Sequence, residues 1–315
     1  EESKNHMKLK RFKGNPILKP VKTHYWEKHV YNPAAILLED RIHIIYRAMG
    51  RDRVSRLGYA STRDGLHIDE RLDEPIFVPR GEFEEPMVKF YNSGVEDPRV
   101  VRIGNRIYMT YAAVNGRVSY IALASIKVRD FLNKRWKWKR HGILFPRCDG
   151  RNAVLFPKKI RNRFVLYPRF KPNIYVSYSR DLKRWSEPRL IMEPRKDKWD
   201  ELKIGAGAPP VLTEKGWLMI YHGVQVTRRG RIYRAGIVLI DSENPEKILW
   251  RSEEPVLEPV KRYEKIGQVN NVVFPCGAVV KEGELFVYYG GADNVVCVAT
   301  ANLSQLLRFI PIRKA

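Results

Sequence analysis

The chain is poor in the residues that would announce a covalent or metal scaffold. Three cysteines in 315 residues, Cys148, Cys276 and Cys297, stand without CxxC spacing, which argues against a disulfide framework or a zinc site and leaves them as core or incidental thiols. Seven histidines show neither HExxH nor another paired ligand spacing, so no metal is expected. No window approaches the roughly 18 apolar residues that span a bilayer, and the polar opening "EESKNHMKLKRF" lacks the apolar centre of a signal peptide. A soluble, cytoplasmic protein is the expectation. Helical periodicity is nearly missing too, since only "ANLSQLLRF" near the C-terminus reads as helix. Acids are the last shortage, 35 against 58 Lys and Arg, for a net charge of +23. Such a surplus fits a nucleic acid, an anionic membrane or an anionic small substrate, and charge alone does not choose among them.

What is present is strand. Hydrophobic residues make up 44% and aromatics 11%, enough for a core, and single all-β domains reach this length. One pattern occurs five times: an apolar strand, a short polar turn, and a second strand ending in tyrosine. The copies are "AAILLEDRIHIIYRA", "PRVVRIGNRIYMTYAA", "AVLFPKKIRNRFVLYPR", "PPVLTEKGWLMIYHG" and "GAVVKEGELFVYYGG", with anchors Tyr46, Tyr111, Tyr167, Tyr221 and Tyr289. A third strand follows each. Four-stranded units repeated with turn signals predict an all-β, five-bladed β-propeller over residues 21–315, preceded by an N-terminal extension over 1–20. A two-sheet sandwich would not repeat one hairpin five times.

In a propeller the innermost strands converge on one pocket. The residues opening the hairpins (Asn32, Glu96, Asp97, Arg151, Asn152, Lys203, Asn270, Asn271) and those just past the tyrosines (Arg47, Arg169, His222, Asp293) would then bring acids and bases together, to bind an anion beside an acid. Within "GVEDPRV", Asp97 precedes a proline, which predicts extended geometry at the start of a strand. An acid there, near Arg99, suits a general acid, and equally a turn aspartate capped by its own loop. The densest basic run, "KVRDFLNKRWKWKRHG" (Lys127–Gly142), interleaves aromatics with bases as a nucleic-acid surface would; the plainer reading, which we favour, is a sheet edge charged against strand pairing.

The motifs "GVEDPRV", "RNAVLFPKKI", "KIGAGAPPVL", "MIYHGV", "YRAGIVLID" and "YYGGAD", in this order across roughly Asn32 to Leu306, resemble those of glycoside hydrolase family 130, the β-mannoside phosphorylases and related β-mannosidases. The resemblance implies a five-bladed propeller with Asp97 as catalytic acid, protonating the leaving oxygen through the sugar 3-hydroxyl. It implies a phosphate-binding set of Arg151, Arg169, His222 and Tyr233 with Asn152 and Lys203 beside it, and sugar contacts at Arg56 and Asp293, to which we add Asn32, Arg47 and Glu96. The chain departs from the commoner pattern at "LYPRF", where a histidine often precedes the arginine, which leaves the leaving-group subsite open.

The chemistry agrees. An inverting hydrolase needs a second carboxylate to activate water, whereas phosphate is already a nucleophile and needs only positioning and charge neutralisation. The expected activity is phosphorolysis of a β-mannoside, with β-mannobiose, β-mannooligosaccharide or mannosyl-glucose as substrate, inorganic phosphate as co-substrate and no cofactor, nucleic acid or membrane partner. Linkage, acceptor sugar and homo-oligomeric state stay open. The alternatives are a β-mannosidase of the same family and a non-catalytic, polyanion-binding propeller.

Overall fold

Runs such as Trp217–Tyr221 and Leu285–Gly291 are apolar on both faces, so a strand made from them must be covered on both sides. In the computed structural model, which describes residues 7–89 and 91–311, they are covered, and the protein is all-β, its strands falling into five antiparallel units of which the first two are joined by a short parallel pairing of Val54 and Ser55 with Ser93 and Gly94. The opening strands are His29–Leu38, Ser93–Ile103, Arg151–Leu155, Lys203–Ala206 and Val273–Lys281; the second strands are Arg41–Met49, Arg106–Val114, Phe164–Phe170, Gly216–Thr227 and Glu284–Gly291. Third strands follow at Val54–Thr62, Ser119–Lys127, Asn173–Ser179, Gly230–Ile240 and Val295–Asn302. Outer strands complete the units at Glu70–Arg71, Lys139–Ile143, Arg189–Met192, Ile248–Arg251 and, for the fifth, Lys10–Arg11 from the start of the chain.

That last pairing changes the reading of the N-terminus. Residues 1–6 of the expected extension lie outside the described residues, but from Lys8 onward the stretch belongs to the body: Leu9 and Leu18 are buried, and Leu18 bridges Val296. The C-terminal helix is present as Leu303–Arg308, capped by Asn302 accepting from the Gln305 amide. Two shorter helices, Val128–Leu132 and Arg262–Lys265, were not foreseen. No helix among the described residues is long and apolar enough to cross a membrane.

Apolar side chains form a cluster between each unit and the next. Ile45 and Leu57 pack with Met109 and Ala124, Ile121 and Leu123 with Leu155 and Leu166, Val165 and Tyr167 with Met219 and Val238, and Ile220 and Ile237 with Val287 and Cys297. Ile42 and Ile44 then pack with Tyr288 and Val298, joining the fifth unit to the first. The basic run near residue 130 follows the same logic: Phe131, Trp136 and Trp138 turn into the first cluster, while Lys139 to His141 lie on an outer strand.

The five anchor tyrosines are all buried on second strands. In four units the hydroxyl donates to a buried acid on the segment entering that unit, which also accepts from the outer strand's arginine. The sets are Tyr46–Glu27–Arg71, Tyr111–Glu84–Arg140, Tyr221–Asp200–Arg251 and Tyr289–Glu264–Arg11. In the third unit Tyr167 donates to the Pro245 carbonyl instead. Asp200, fully buried, also accepts from Arg195 at 3.0 Å. Asp200→Ala therefore strands two arginines and should cost about 3–5 kcal/mol in urea unfolding; a loss below 1 kcal/mol would show the acid to be dispensable.

Candidate active site

The site begins with an irregularity shared by three opening strands. Asn32, Asp97 and Asn152 have left-handed backbones, φ +47°, +53° and +54°, and each sits where the register with the second strand slips. A bulge of this kind re-aims a side chain, and Asn and Asp tolerate the left-handed region better than other non-glycine residues. The extended geometry expected for Asp97 at a strand start is thus corrected: it lies inside Ser93–Ile103, turned by a bulge. All three side chains line one cavity, together with Arg47, Arg151, Arg169, Lys203, His222, Tyr233 and Asp293. Close approach sets one glycine: a Cβ on Gly205 would lie 2.5 Å from the His222 ring.

Two expected sugar contacts, Arg56 and Glu96, are not among the residues lining this cavity. Arg56 is outside that lining, its guanidinium 2.7 Å from Asp52 Oδ2 and over the Tyr25 ring. Glu96, 1% exposed, lies behind the cavity wall, where Oε1 meets Arg47 Nη2 at 2.9 Å and Oε2 meets Arg151 Nη1 at 2.8 Å; it bridges two arginines of the site. Of the other hairpin-opening residues, Asn270 accepts from the Gly267 amide and the Asn271 carbonyl from the Tyr233 amide, so both hold the loop. Val269, Val272 and Phe274 line the cavity in their place. Sequence patterns had flagged none of these three, because an apolar residue near a strand reads as core.

The acid and the bases are electrostatically distinct. Asp97 Oδ1 accepts from Asn32 Nδ2 at 2.8 Å and from Arg47 Nη1 at 3.1 Å. Burial pushes its pKa up, but Arg47, Arg99, Arg151 and the Asn32 bond together outweigh burial and hold the carboxyl below its usual range. Asp293 has no such excess of cations; burial, reinforced by Asp97 and Glu96, lifts it to about 7. Opposite strand partners Arg151 and Arg169 bring two guanidiniums together. Burial, then Arg151, pulls Arg169 down to about 10, and its Nε and Nη1 are buried with no hydrogen-bond partner. Burial, then Arg169, holds His222 neutral, with its pKa well below the ordinary histidine value. A buried, charged and unpaired guanidinium is costly unless an anion completes it.

Lys203 makes the pocket pH-sensitive. Burial, then Arg169, Lys171, Arg231 and Arg151, lowers its pKa to about 7, so in the free protein Lys203 carries its charge below that pH and loses it above. Bound anion favours the charged form. The ratio of phosphate Kd in Lys203→Met to that in wild type should therefore shrink about tenfold from pH 6 to pH 8, at one factor of ten per pH unit past the pKa. Taking the ratio cancels phosphate's own ionisation; a ratio independent of pH in calorimetry would remove Lys203 from the anion site.

Among the described residues no cluster of three or more His, Cys, Asp or Glu could hold a metal ion. A family profile described as beta-1,4-mannooligosaccharide phosphorylase, that of glycoside hydrolase family 130, matches residues 8–311. The 1,2-beta-oligomannan phosphorylase of Thermoanaerobacter sp. (strain X514) is 37% identical over 311 residues, 95% of this chain and 99% of that protein. The beta-1,2-mannobiose phosphorylase of the same strain is 38% identical over 306 residues, 93% and 96% of the two. Among solved structures, the beta-1,2-mannobiose phosphorylase of Listeria innocua in complex with beta-1,2-mannobiose has a TM-score of 0.82 at 24% identity, covering 96% of this chain and 99% of that one, a likeness of fold. With the profile spanning nearly every residue and relatives above 35% identity along their whole length, the chain belongs to glycoside hydrolase family 130.

Proposed function

We propose that the protein is an inverting β-mannoside phosphorylase that cleaves β-1,2-linked mannosides with inorganic phosphate. The observation that carries this reading is Arg169, 3% exposed, with two N–H groups unpartnered in a cavity that also holds Asp97. The β-1,2 choice rests on the two relatives at 37% and 38% identity, both named for that linkage. The five units are the blades of a closed propeller. The cyclic run of inter-unit clusters supports closure, as does the outer strand that the N-terminus lends to the fifth unit.

In the reaction, Arg151, Arg169, Lys203, Asn152 and Tyr233 hold phosphate so that one oxygen attacks the anomeric carbon from the face opposite the leaving group. The bond from that carbon to the glycosidic oxygen breaks, and the proton of Asp97 reaches the departing oxygen through the sugar 3-hydroxyl. Asp97 must be protonated to serve, while Arg47, Arg99 and Arg151 favour its carboxylate. Phosphate resolves this: a dianion beside Arg151 offsets the charge that holds the carboxyl down, so its pKa rises when the co-substrate binds. Asp293 lines the same cavity, where burial first, then Arg47, Asp97 and Glu96, set its ionisation.

The test is phosphate dependence. Incubated with β-1,2- and β-1,4-mannobiose, the protein should release one mannose 1-phosphate per mannose, only with phosphate and faster from the β-1,2 sugar. Two free mannoses per bond at a rate indifferent to phosphate would make it a mannosidase and end this reading.

A further inference from the structure

Arg99 reaches the site through its hydrogen bonds and through the Phe274 ring of the lining, whose centroid lies 5.7 Å from its guanidinium, and those hydrogen bonds are unusual for a buried cation. It is 2% exposed, and each of its hydrogen-bond acceptors is neutral. Nε donates to the Gly207 carbonyl at 2.9 Å and Nη1 to the Asp97 carbonyl at 3.0 Å, while Nη2 donates to the Ala206 carbonyl at 3.1 Å and to Asn152 Oδ1 at 3.2 Å. These acceptors come from the second, third and fourth units. Two are bulge residues of the site: the guanidinium fixes the backbone turn that aims Asp97, and it fixes the amide of Asn152.

The second bond has a chemical consequence. Arginine carries five donors and no acceptor, so only the oxygen of the Asn152 amide can face it. The NH2 group must then point the other way, over Gly205, where a Cβ would lie 3.1 Å from Asn152 Nδ2 beside the His222 ring. Without Arg99 the amide could rotate and present oxygen to the anion.

We propose that Arg99 is a positioning residue of the phosphate site, acting through Asn152 by holding its amide with both N–H groups toward the bound anion. This rests on the phosphorylase reading. A residue that merely joined the units would alter stability and leave the balance between the two substrates untouched.

The test is a double-mutant cycle on Arg99→Lys and Asn152→Ala, with KM for phosphate and for mannobiose measured separately. Lysine keeps the charge but has no planar fork. Arg99→Lys should raise the phosphate KM about tenfold, the loss of roughly one charge-assisted hydrogen bond, with the sugar KM changed less than about twofold. In the Asn152→Ala background the same change should add less than about twofold. Equal losses in both backgrounds, or equal shifts for both substrates, would overturn the proposal. A readout that needs no variant covers a failure to fold: the side-chain NH2 signals of Asn152 in 15N-labelled wild type should shift on adding inorganic phosphate, and signals that stay in place also overturn it. Wild type turning over without phosphate would instead sink the parent reading.

Discussion

Asp97→Asn is expected to lower turnover by about 10²–10⁴-fold, the usual contribution of a positioned general acid. Asparagine keeps an oxygen for Asn32 and Arg47, so the bulge and the cavity should survive. Stability should fall modestly, and the sign follows from the direction of the shift. The folded state holds the carboxyl below its usual pKa, so ionised Asp97 stabilises the protein above the unfolded value and that contribution is lost as pH falls through the folded one. Removing the charge forfeits it at every pH, leaving Arg47, Arg99 and Arg151 less compensated. Activity assayed well below the unfolding temperature separates the two effects. A variant keeping half of wild-type turnover would exclude Asp97 as the acid.

Arg169→Met should do two things that ordinarily oppose each other. It should raise the phosphate KM by about 10–150-fold, the loss of charge-assisted bonds of about 1.5–3 kcal/mol. In phosphate-free buffer it should also raise Tm. The reason is again the direction of the shift: burial and Arg151 lower the Arg169 pKa to about 10, so its charge works against the folded state at every pH below that value. Added phosphate should then stabilise wild type strongly and the variant little, since only a ligand that binds the native state shifts its unfolding. A variant that loses stability in phosphate-free buffer would mark Arg169 as a structural arginine.

Both predictions depend on pairings that the chain's order hides. Asp97 and Arg99 are neighbours within "EDPR", and their spacing pointed to an acid beside a base; that Arg99 gives its hydrogen bonds to carbonyl oxygens, the Asp97 backbone's among them, and none to the Asp97 carboxylate could not be read there. Arg56 carries a different lesson. Its motif suggests a sugar contact, and the fold adds a local pairing that the motif does not show, with Asp52, four residues earlier, meeting its guanidinium. Glu96 was legible as a polar residue at a hairpin mouth, and its bridge between Arg47 and Arg151 emerged only when strands from three units met.

The sequence by itself determined the strand content, the five hairpins, their tyrosines and most of the residues that reach the cavity. Those features are local: alternation, turn chemistry and β-branched or aromatic content act over a few residues. Only the tertiary structure decided why the tyrosines are there and what charge each site residue carries. Tyr46 is satisfied by Glu27 together with Arg71, and Tyr289 by Glu264 together with Arg11, more than 250 residues away in the chain. Asp97 is held ionised by Arg47 from one unit, Arg99 from its own and Arg151 from another, while Arg169, the cross-strand partner of Arg151, keeps Nε and Nη1 without a hydrogen-bond partner. Burial and the distance between charges set an ionisation state, and both come into being only when the units pack against one another.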